Sequence, residues 1–361
     1  MYTPVRLPPA PNHPSVNRRS FLHSAGASAF VCALGGGVPA TRAHIAKADA
    51  AARALKKPTP IATDPVDSLK FGTPEPQPGG VKREYWLQAE SFTWDPVPTG
   101  RDEWMKMPIP SKRRFRAFGY RLYDQGYANP QGPVQLGGPT LTGEVGDTIV
   151  VHLRNGDEHF NQAVTFHPHG VRYTPDYDGS YLGKFTRAGG FIAPGEEFTY
   201  TFECTPDSVG TWPYHDHGPN HVVNIARGLF GSVIVREKGA KVPDVEEVLV
   251  LHQLPPQVTG IPRVLQCING RAFAGNTPTI RAKVGQDVAI HVIGGDSMFH
   301  TFHVHGHRWQ VGHRNEDCPT VGPNEVITAR WNEDNPGRWL YHCHVFTHQD
   351  AGMAGWLLVN P

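Results

Sequence analysis

The sequence lacks an excess of charge of either sign, since 34 Lys and Arg residues balance 33 Asp and Glu residues and leave a formal net charge of +1. It also lacks a basic face with interleaved aromatic residues, the usual mark of nucleic-acid binding. No apolar run is long enough to span a bilayer as a mature helix. We therefore expect neither a nucleic-acid partner nor a membrane span.

Glycine and proline are abundant, with 39 and 34 residues in a chain of 361. They interrupt the chain too often for long helices, and runs such as "TIVVHL" and "FTYTF" are rich in β-branched and aromatic residues. The 39% hydrophobic content and eight Trp residues are ample for buried cores. These features predict a globular, all-β protein.

The N-terminus has the pattern of an export leader. In "NRRSFLHSAGASAFVCALGGGVPA", Arg18 and Arg19 precede a short apolar run and small residues. The paired arginines resemble a twin-arginine signal, a route that exports folded proteins. We expect residues 1–43 to be this signal, cleaved near Ala40 or Ala43, and the protein to be secreted or periplasmic. A disordered basic tail is the alternative.

Residues 44–80 form an Ala-rich and then Pro-rich stretch with too little apolar content to pack as a core. This composition predicts an arm or linker. The sequence leaves open whether the arm covers a site, bridges subunits or is disordered.

Five cysteines are present, of which Cys32 lies in the leader and Cys343 between two histidines. The others, Cys204, Cys267 and Cys318, are an odd three. In an oxidising compartment one disulfide among them is expected, with a pairing that the sequence does not reveal.

An internal repeat predicts the domain organisation. Four segments recur in the same order: "PTLTGEVGDTIVVHL" from Pro139 as "PTIRAKVGQDVAIHV" from Pro278, "VTFHPHG" as "HTFHVHG", "WPYHDHGPNH" as "WLYHCHVFTH", and "GLFGSVIV" as "GMAGWLLV". The chain therefore contains two copies of one β-domain, over residues 81–240 and 241–361. Each copy is expected to be a small Greek-key sandwich or barrel.

Histidines in His-x-His pairs dominate the repeated segments. Alternate residues of a strand point to the same face, so His342 and His344 point one way and Cys343 the other. Eight paired histidines, four per copy, form one candidate metal site: His167, His169, His215, His217, His303, His305, His342 and His344. One strand can thus serve two metal sites on opposite faces.

The second site combines Cys343 with His300, His348 and Met353, the thiolate, imidazole and thioether ligands of a blue-copper centre. A zinc site is the main alternative for "HCH" alone. A structural zinc ion is bound by four protein ligands, whereas the sequence offers twelve candidate ligands in two sets.

The segments "HPHG", "WPYHDH", "HTFHVHG" and "HCHVFTHQDAGM" resemble the four copper motifs of multicopper oxidases. With two cupredoxin domains, residues 81–361 are similar to the bacterial two-domain, or small, laccases. The resemblance implies four copper ions per chain: one type 1, one type 2 and two type 3. It assigns Cys343, His300, His348 and Met353 to type 1, His167 and His303 to type 2, and His169, His215, His217, His305, His342 and His344 to type 3.

The first copy lacks a type 1 site. Val164, Asp216, His221 and Leu229 align with the four type 1 ligands, so the thiolate is missing. We expect a single type 1 copper, in the second domain, and a relic or supporting role for His221. His307 is expected to be structural or to hydrogen-bond behind the ligands.

The resemblance also implies a catalytic pair in "HGVRYTPDYDG", with Tyr173 near the trinuclear cluster and Asp178 as a proton relay. Turn chemistry at Asp178-Gly179 and plain packing of Tyr173 are the alternatives.

The implied activity is that of a laccase-type oxidase, a benzenediol:oxygen oxidoreductase. Its partners would be a small-molecule reductant, such as a phenol or aromatic amine, and dioxygen, which is reduced to water. In the family, electrons arrive at the exposed edge of the ligand corresponding to His348 and pass through Cys343 to His342 and His344. Small laccases are homotrimers with clusters between domain 1 of one chain and domain 2 of the next. The residues alone also permit pairing within one chain.

Three other functions compete with this one. A metallo-oxidase of Cu(I) or Fe(II) is the main alternative, although only five Met occur and cuprous oxidases often carry Met-rich inserts. A copper nitrite reductase is disfavoured because it has no type 3 pair and holds its type 1 copper in the first domain. A copper carrier would not need eight further histidines.

Overall fold

The computed structural model describes residues 41–109 and 113–361. The predicted export signal falls almost entirely outside the described residues. Among those described, no helix is both long and apolar enough to cross a membrane.

The first half of the body has ten strands, of which eight form a sandwich of two four-stranded sheets and two, β2 and β3, pair separately. Its strands are β1 Lys82–Trp94, β2 Arg101–Asp102, β3 Met107–Pro108, β4 Phe115–Tyr123, β5 Thr140–Glu144, β6 Thr148–Asn155, β7 His167–Pro168, β8 Glu197–Glu203, β9 Gly210–His215 and β10 Phe230–Arg236. One sheet has the order β4-β1-β6-β8 and the other β5-β10-β9-β7. An aromatic core that includes Phe118, Phe166, Phe202 and Tyr214 fills the space between them.

The second half repeats this architecture. Its strands are β11 Val245–Leu254, β12 Leu265–Ile268, β13 Thr279–Lys283, β14 Asp287–Gly294, β15 His300–Val304, β16 Trp309–Val311, β17 Arg314–Glu316, β18 Thr320–Val321, β19 Val326–Asn332, β20 Gly337–Cys343 and β21 Ala354–Asn360. The sheets have the orders β12-β11-β14-β19 and β13-β21-β20-β15-β18, around a core that contains Cys343 and Met353. The predicted all-β fold class is confirmed.

Helices are short and few in the described chain. The α-helices are α1 Arg42–Ala54, α2 His221–Arg227, α3 Pro256–Thr259 and α4 Phe346–Asp350. Single 3-10 turns cover Pro65–Ser68, Gln125–Tyr127, Pro175–Tyr177, Gly183–Phe185, Ala188–Gly190 and Pro206–Ser208.

A third apolar cluster joins the two halves. Trp94 and Phe230 of the first half pack with Leu254, Phe273 and Ile293 of the second. The Trp94 indole N–H donates to the carbonyl of Gly270 at 2.7 Å. This hydrogen bond helps to fix the orientation of one half relative to the other. The halves are therefore held in one arrangement by a continuous core.

The arm folds onto both halves, since α1 packs against α3 of the second half and its Asp49 pairs with Arg227 of the first. Thr41 caps α1, whose Ile45 and Ala52 are buried although the composition of the arm predicts no core of its own. Farther along, Lys57 pairs with Glu196, and the backbone N–H of Ile61 donates to the carbonyl of Lys184. The arm thus wraps the body through scattered contacts rather than a continuous apolar face.

The expected disulfide is absent from the described chain, where Cys204, Cys267 and Cys318 are all free thiols. Cys204 is buried in the first core and Cys267 in the cluster between the halves. These separate locations are the reason that the two cannot pair.

Candidate metal centre

The four histidines of the first copy converge at one end of its sandwich. His167 on β7 pairs in register with His215 on β9, which brings the two His-x-His segments side by side. The ring centroids of His167 lie 5.1 Å from those of His169 and of His217. The Nε2 atoms of His169 and His215 face each other at 3.0 Å. This group is called the first quartet below.

Backbone carbonyls orient the first quartet. The Nδ1–H groups of His167 and His215 donate to the carbonyls of Asp178 and Asp216, at 2.6 and 2.9 Å. With the proton on Nδ1, the lone pair of each ring is on Nε2 and directed toward the other histidines. Nδ1 of His217 is buried without a hydrogen-bond partner in the described chain, so this ring also has an uncommitted nitrogen.

The protonation state of these rings suits metal binding. Burial, together with the neighbouring rings, lowers the pKa of His169 to about 4. Burial also lowers the pKa of His215 to about 3. Both imidazoles are therefore neutral at neutral pH, the form that binds metal ions.

The second copy repeats this geometry as a second quartet: His303, His305, His342 and His344. His303 on β15 pairs in register with His342 on β20, and Nε2 of His305 faces Nε2 of His342 at 3.2 Å. The ligand atoms of these three lie within 4.8 Å of one another. Nδ1–H of His303 donates to the carbonyl of Asp317, and that of His342 to the carbonyl of Cys343.

A glycine follows the first His-x-His segment of each copy. Gly170 and Gly306 have φ of 72° and 73°, a region that glycine adopts without strain. A Cβ on Gly170 would lie 2.0 Å from the ring of Trp212, and one on Gly306 would lie 3.0 Å from Trp339. Both positions therefore require glycine.

The two quartets do not meet within the described chain, where no ring contact joins one to the other. Asn324 of the second half reaches the first quartet, with its side-chain amide 3.1 Å from Nε2 of His169. His305 and His344 of the second quartet are exposed. The second quartet is therefore open to solvent on the side of His305 and His344.

Cys343 forms a separate site on the opposite face of β20. Its Sγ lies 3.9 Å from Nδ1 of His300 and 3.6 Å from Nδ1 of His348, and all three side chains are buried. Burial alone would raise the pKa of Cys343, but hydrogen bonds from His300 and His348 lower it to about 6. A thiolate between two imidazoles is a ligand set that fits copper.

Met353 belongs to the same core. It is fully buried, and its carbonyl accepts the backbone N–H of Cys343 at 3.1 Å, while its own N–H donates to the carbonyl of His348. These two backbone hydrogen bonds therefore hold Met353, the predicted weak ligand, beside Cys343 and His348.

Asp216 occupies the position of Cys343 in the first copy and is fully buried. Its carboxylate accepts hydrogen bonds from the backbone N–H groups of Thr165 and Gly218, at 2.8 and 3.2 Å, and from the Asn224 amide at 2.9 Å. Leu229 is also buried in this core. A hydrogen-bonded carboxylate thus fills the space that a metal site has in the second copy.

Tyr173 and Asp178 both lie against His167. The Tyr173 ring is 5.9 Å from the His167 ring, and a carboxylate oxygen of Asp178 is 3.6 Å from His167 Nδ1. Burial and then the charge of Asp178 raise the pKa of Tyr173. The structure therefore places the predicted pair at the first quartet.

Other polar residues support the two sites. Asp296 accepts a hydrogen bond from Nε2 of His300 at 3.2 Å. His307 donates from Nδ1 to the carbonyl of His305 and contacts Glu333 through Nε2 at 3.0 Å. His221 stacks on His217 with ring centroids 4.7 Å apart. The sequence indicated supporting roles for His221 and His307, whereas no spacing rule distinguishes Asp296 or Glu333 from the other acidic residues.

Two cupredoxin-like sandwiches, a Cys-His-His site and two histidine quartets together define a copper-dependent redox protein. Models of one family, described as multicopper oxidase, match residues 134–240 and 241–361. The chain belongs to the multicopper oxidase family, and copper is its cofactor.

Relatives within the family differ in activity. A human protein described as "Ferroxidase HEPHL1" is 28% identical over 338 residues, which cover 76% of this chain and 28% of that protein. A "Probable nitrite reductase-hydroxylamine oxidoreductase fusion protein" of Kuenenia stuttgartiensis is 28% identical over 240 residues, covering 62% of this chain and 27% of that protein. The chain spans less than a third of the length of these relatives.

Solved structures of similar size share the fold. The blue copper oxidase from Nitrosomonas europaea has a TM-score of 0.59 and 27% identity, covering 77% of this chain and 86% of that one. The multicopper oxidase mgLAC has a TM-score of 0.60 and 25% identity, with the same coverage. The prediction that the chain is a two-domain multicopper oxidase is confirmed.

Proposed function

We propose that the protein is a laccase-like oxidase that takes electrons one at a time from phenols or aromatic amines and reduces dioxygen to water. The observation that carries this proposal is the arrangement on β20. Cys343 faces His300 and His348, while the adjacent His342 belongs to a quartet on the other face. One set of ligands can thus collect electrons while the other serves the reduction of dioxygen, and a single peptide unit, between His342 and Cys343, joins the two sets.

We assign four copper ions to each complete set of ligands, one at Cys343 and three at the histidines. When bound, these ions supply the electron transfer and the dioxygen chemistry. The chain supplies neutral imidazoles fixed by backbone carbonyls, a thiolate kept in a buried pocket, and a covalent connection between the sites.

Asp178 is the proposed proton carrier. Its carboxylate lies beside His167 and is 28% exposed at the side chain, so it contacts both the quartet and solvent. Dioxygen reduction to water consumes protons, and a carboxylate with this location can pass them from solvent. Tyr173 forms the adjacent wall of the quartet.

We further propose that a second copy of the chain completes the dioxygen site. Apolar side chains are exposed beside both quartets: Phe346, 67% exposed, packs on His344, and Leu182, 53% exposed, follows Tyr181, whose N–H donates to the carbonyl of His217. The surface around one quartet thus differs from that around the other. The proposed contact between these unlike surfaces is head-to-tail, and repeated around a closed ring it gives a homotrimer, the assembly that the family resemblance implies.

Dioxygen uptake by the copper-loaded protein with a phenolic donor tests the activity. We expect about four donor molecules oxidised per dioxygen, with water as the product, because each phenol gives one electron. Repeating the measurement with Fe(II) tests the ferroxidase alternative that the human relative favours. A much higher kcat/KM for Fe(II) than for any phenol would reject the laccase assignment.

Mixing two inactive variants tests the assembly. His217→Ala breaks the first quartet and His344→Ala the second, so neither variant alone has a complete site. In a ring with sites between chains, each mixed trimer has one intact site, and a refolded equal mixture recovers about a quarter of wild-type activity. Pairing of the quartets within one chain predicts no recovery at all.

We also propose that the protein acts outside the cytoplasm, after export by a twin-arginine route. Replacing both Arg18 and Arg19 by Lys should leave the protein in the cytoplasm, and unchanged export would reject this route.

A further inference from the structure

A mainly apolar cavity, partly open to solvent, lies between the two halves of the chain. Its volume is about 220 Å³. Its apolar walls come from α2, β10, β11 and β14 and include Val222, Ile225, Ala226, Phe230, Val250 and Ile293. An apolar cavity of about 150 Å³ holds a benzene molecule, so this one has room for a substituted benzene ring.

Asp296 provides a polar group in the wall of this cavity. Its Oδ1 accepts hydrogen bonds from the backbone N–H of Met298 and from His300, and its Oδ2 accepts the backbone N–H of Gln253 at 2.7 Å. A carboxylate has about four acceptor positions. Among the contacts of the described chain, one position on Oδ2 is therefore left for a ligand.

The chemistry of the walls limits the ligand. The negative charge of Asp296 disfavours anions, and walls that are mainly apolar suit an aromatic molecule better than a highly hydrated ion, although His215, His252, Gln253 and Asn324 also line the cavity. A flat apolar molecule with one O–H or N–H group can contact the apolar walls and also donate a hydrogen bond to Asp296. Phenols and aromatic amines have this shape and this donor.

The cavity also reaches the Cys343 site by a short path. Asp296 contacts Nε2 of His300, and Nδ1 of the same ring faces Cys343. His348, the residue where donors were expected to arrive, is only 5% exposed. The cavity therefore offers a route to the copper ligands on the His300 side.

We propose that this cavity is the binding site for the aromatic donor, with the hydroxyl or amino group of the donor hydrogen-bonded to Asp296. This inference rests on the proposed oxidase function and specifies where its substrate binds. All of the residues that line the cavity belong to one chain, and they include His215 of the first quartet.

Filling the cavity tests the inference. Ala226→Trp places a large ring inside it from the partly exposed α2, and Val242→Trp is the matched control at an exposed position outside it. The probe is 3-fluorobenzyl alcohol, a hydroxylated aromatic that resists one-electron oxidation, and its binding to the copper-loaded protein is followed by fluorine NMR. We expect saturable binding in the wild type and in Val242→Trp, and binding weaker by about tenfold or more in Ala226→Trp.

Kinetics provide the second readout. Hexacyanoferrate(II) is the reference donor, because its charge does not suit an apolar cavity. In Ala226→Trp the KM for a phenol, divided by the KM for hexacyanoferrate(II), should rise about tenfold. It should not change in Val242→Trp. Unchanged probe binding in Ala226→Trp, or lost probe binding with an unchanged KM ratio, would overturn the inference.

The two proposals fail in different ways. If the loaded wild-type protein oxidises neither donor, the oxidase proposal fails, while probe binding still reports on the cavity. If it oxidises both donors and the probe does not bind, the oxidase proposal stands and the cavity is not the donor site.

Discussion

Asp49 of the arm and Arg227 of α2 form a bidentate ion pair, with Oδ1–Nη1 and Oδ2–Nη2 distances of 2.8 and 2.7 Å. The same carboxylate accepts the side-chain amide of Asn220 at 2.9 Å. Asn220 precedes α2 and Arg227 ends it, so one carboxylate holds both ends of the helix. The inner side of α2 carries Asn224, which binds Asp216 between two histidines of the first quartet.

Asp49→Ala should therefore destabilise the protein strongly. Arg227 is 4% exposed, and an unpaired charge at such a site costs about 3–5 kcal/mol. Thermal unfolding of the purified chain is the measurement. The double variant Asp49→Ala/Arg227→Met should recover much of the loss, because it leaves no buried charge.

A matched control lies in the same arm. Lys57→Ala breaks an ion pair whose side chains are 50% and 43% exposed, and such a pair contributes at most about 1 kcal/mol. Equal effects of Asp49→Ala and Lys57→Ala would show that Asp49 has no special role in anchoring the arm.

Asp216→Ala should lower the free energy of unfolding of the copper-free protein by about 3 kcal/mol, because it leaves three buried donors without an acceptor. Denaturation in urea measures this change. Asp216→Asn keeps an oxygen for the two backbone N–H groups and should lose less. If Asn and Ala have the same effect, the hydrogen bonds of the carboxylate are not the stabilising contacts.

Cys343→Ser should abolish the blue colour and the oxidation of phenols while about three of the four proposed copper ions remain bound, since the histidines are unchanged. Visible absorption and copper analysis measure the two effects. Cys204→Ser, which alters a buried thiol in the first core, is the control and should remain blue. A blue Cys343→Ser protein would refute the ligand assignment.

Stability of the copper-free protein should fall as the pH falls from 6.5 to about 4. His169 and His342 have pKa values lowered from 6.5 to about 4 by burial, so in this window the unfolded chain binds more protons than the folded chain. The stabilising contribution is complete above pH 6.5 and is lost progressively below it. Calorimetry between pH 4.5 and 7 measures the slope.

His169→Gln is the informative variant for this pH dependence, because glutamine does not titrate. The slope of melting temperature against pH should be smaller than in the wild type. An identical slope would mean that the buried histidines do not control the acid sensitivity.

The all-β fold and the family were predictable because ligand spacing is tied to strand geometry. His342 and His344 face one way in the sequence pattern and in the structure, and the repeat located their counterparts. The residues alone left open whether the quartets meet within one chain, since no residue pattern records how two domains are rotated against each other, and only the family resemblance implied that they are separate. Asp49 and Asp296 were missed because nothing in the sequence distinguishes them from the other Asp and Glu residues, 33 acidic residues in all.

The carboxylate of Asp216 also has a chemical consequence for the durability of the protein. A thiol exposed to dioxygen and radicals can be converted through sulfenic and sulfinic acids to sulfonic acid, whereas a carboxylate has no such pathway. The first copy therefore keeps its histidine strand in place without an oxidisable anchor. Of the two aligned residues, Asp216 and Cys343, only Cys343 can be oxidised in this way.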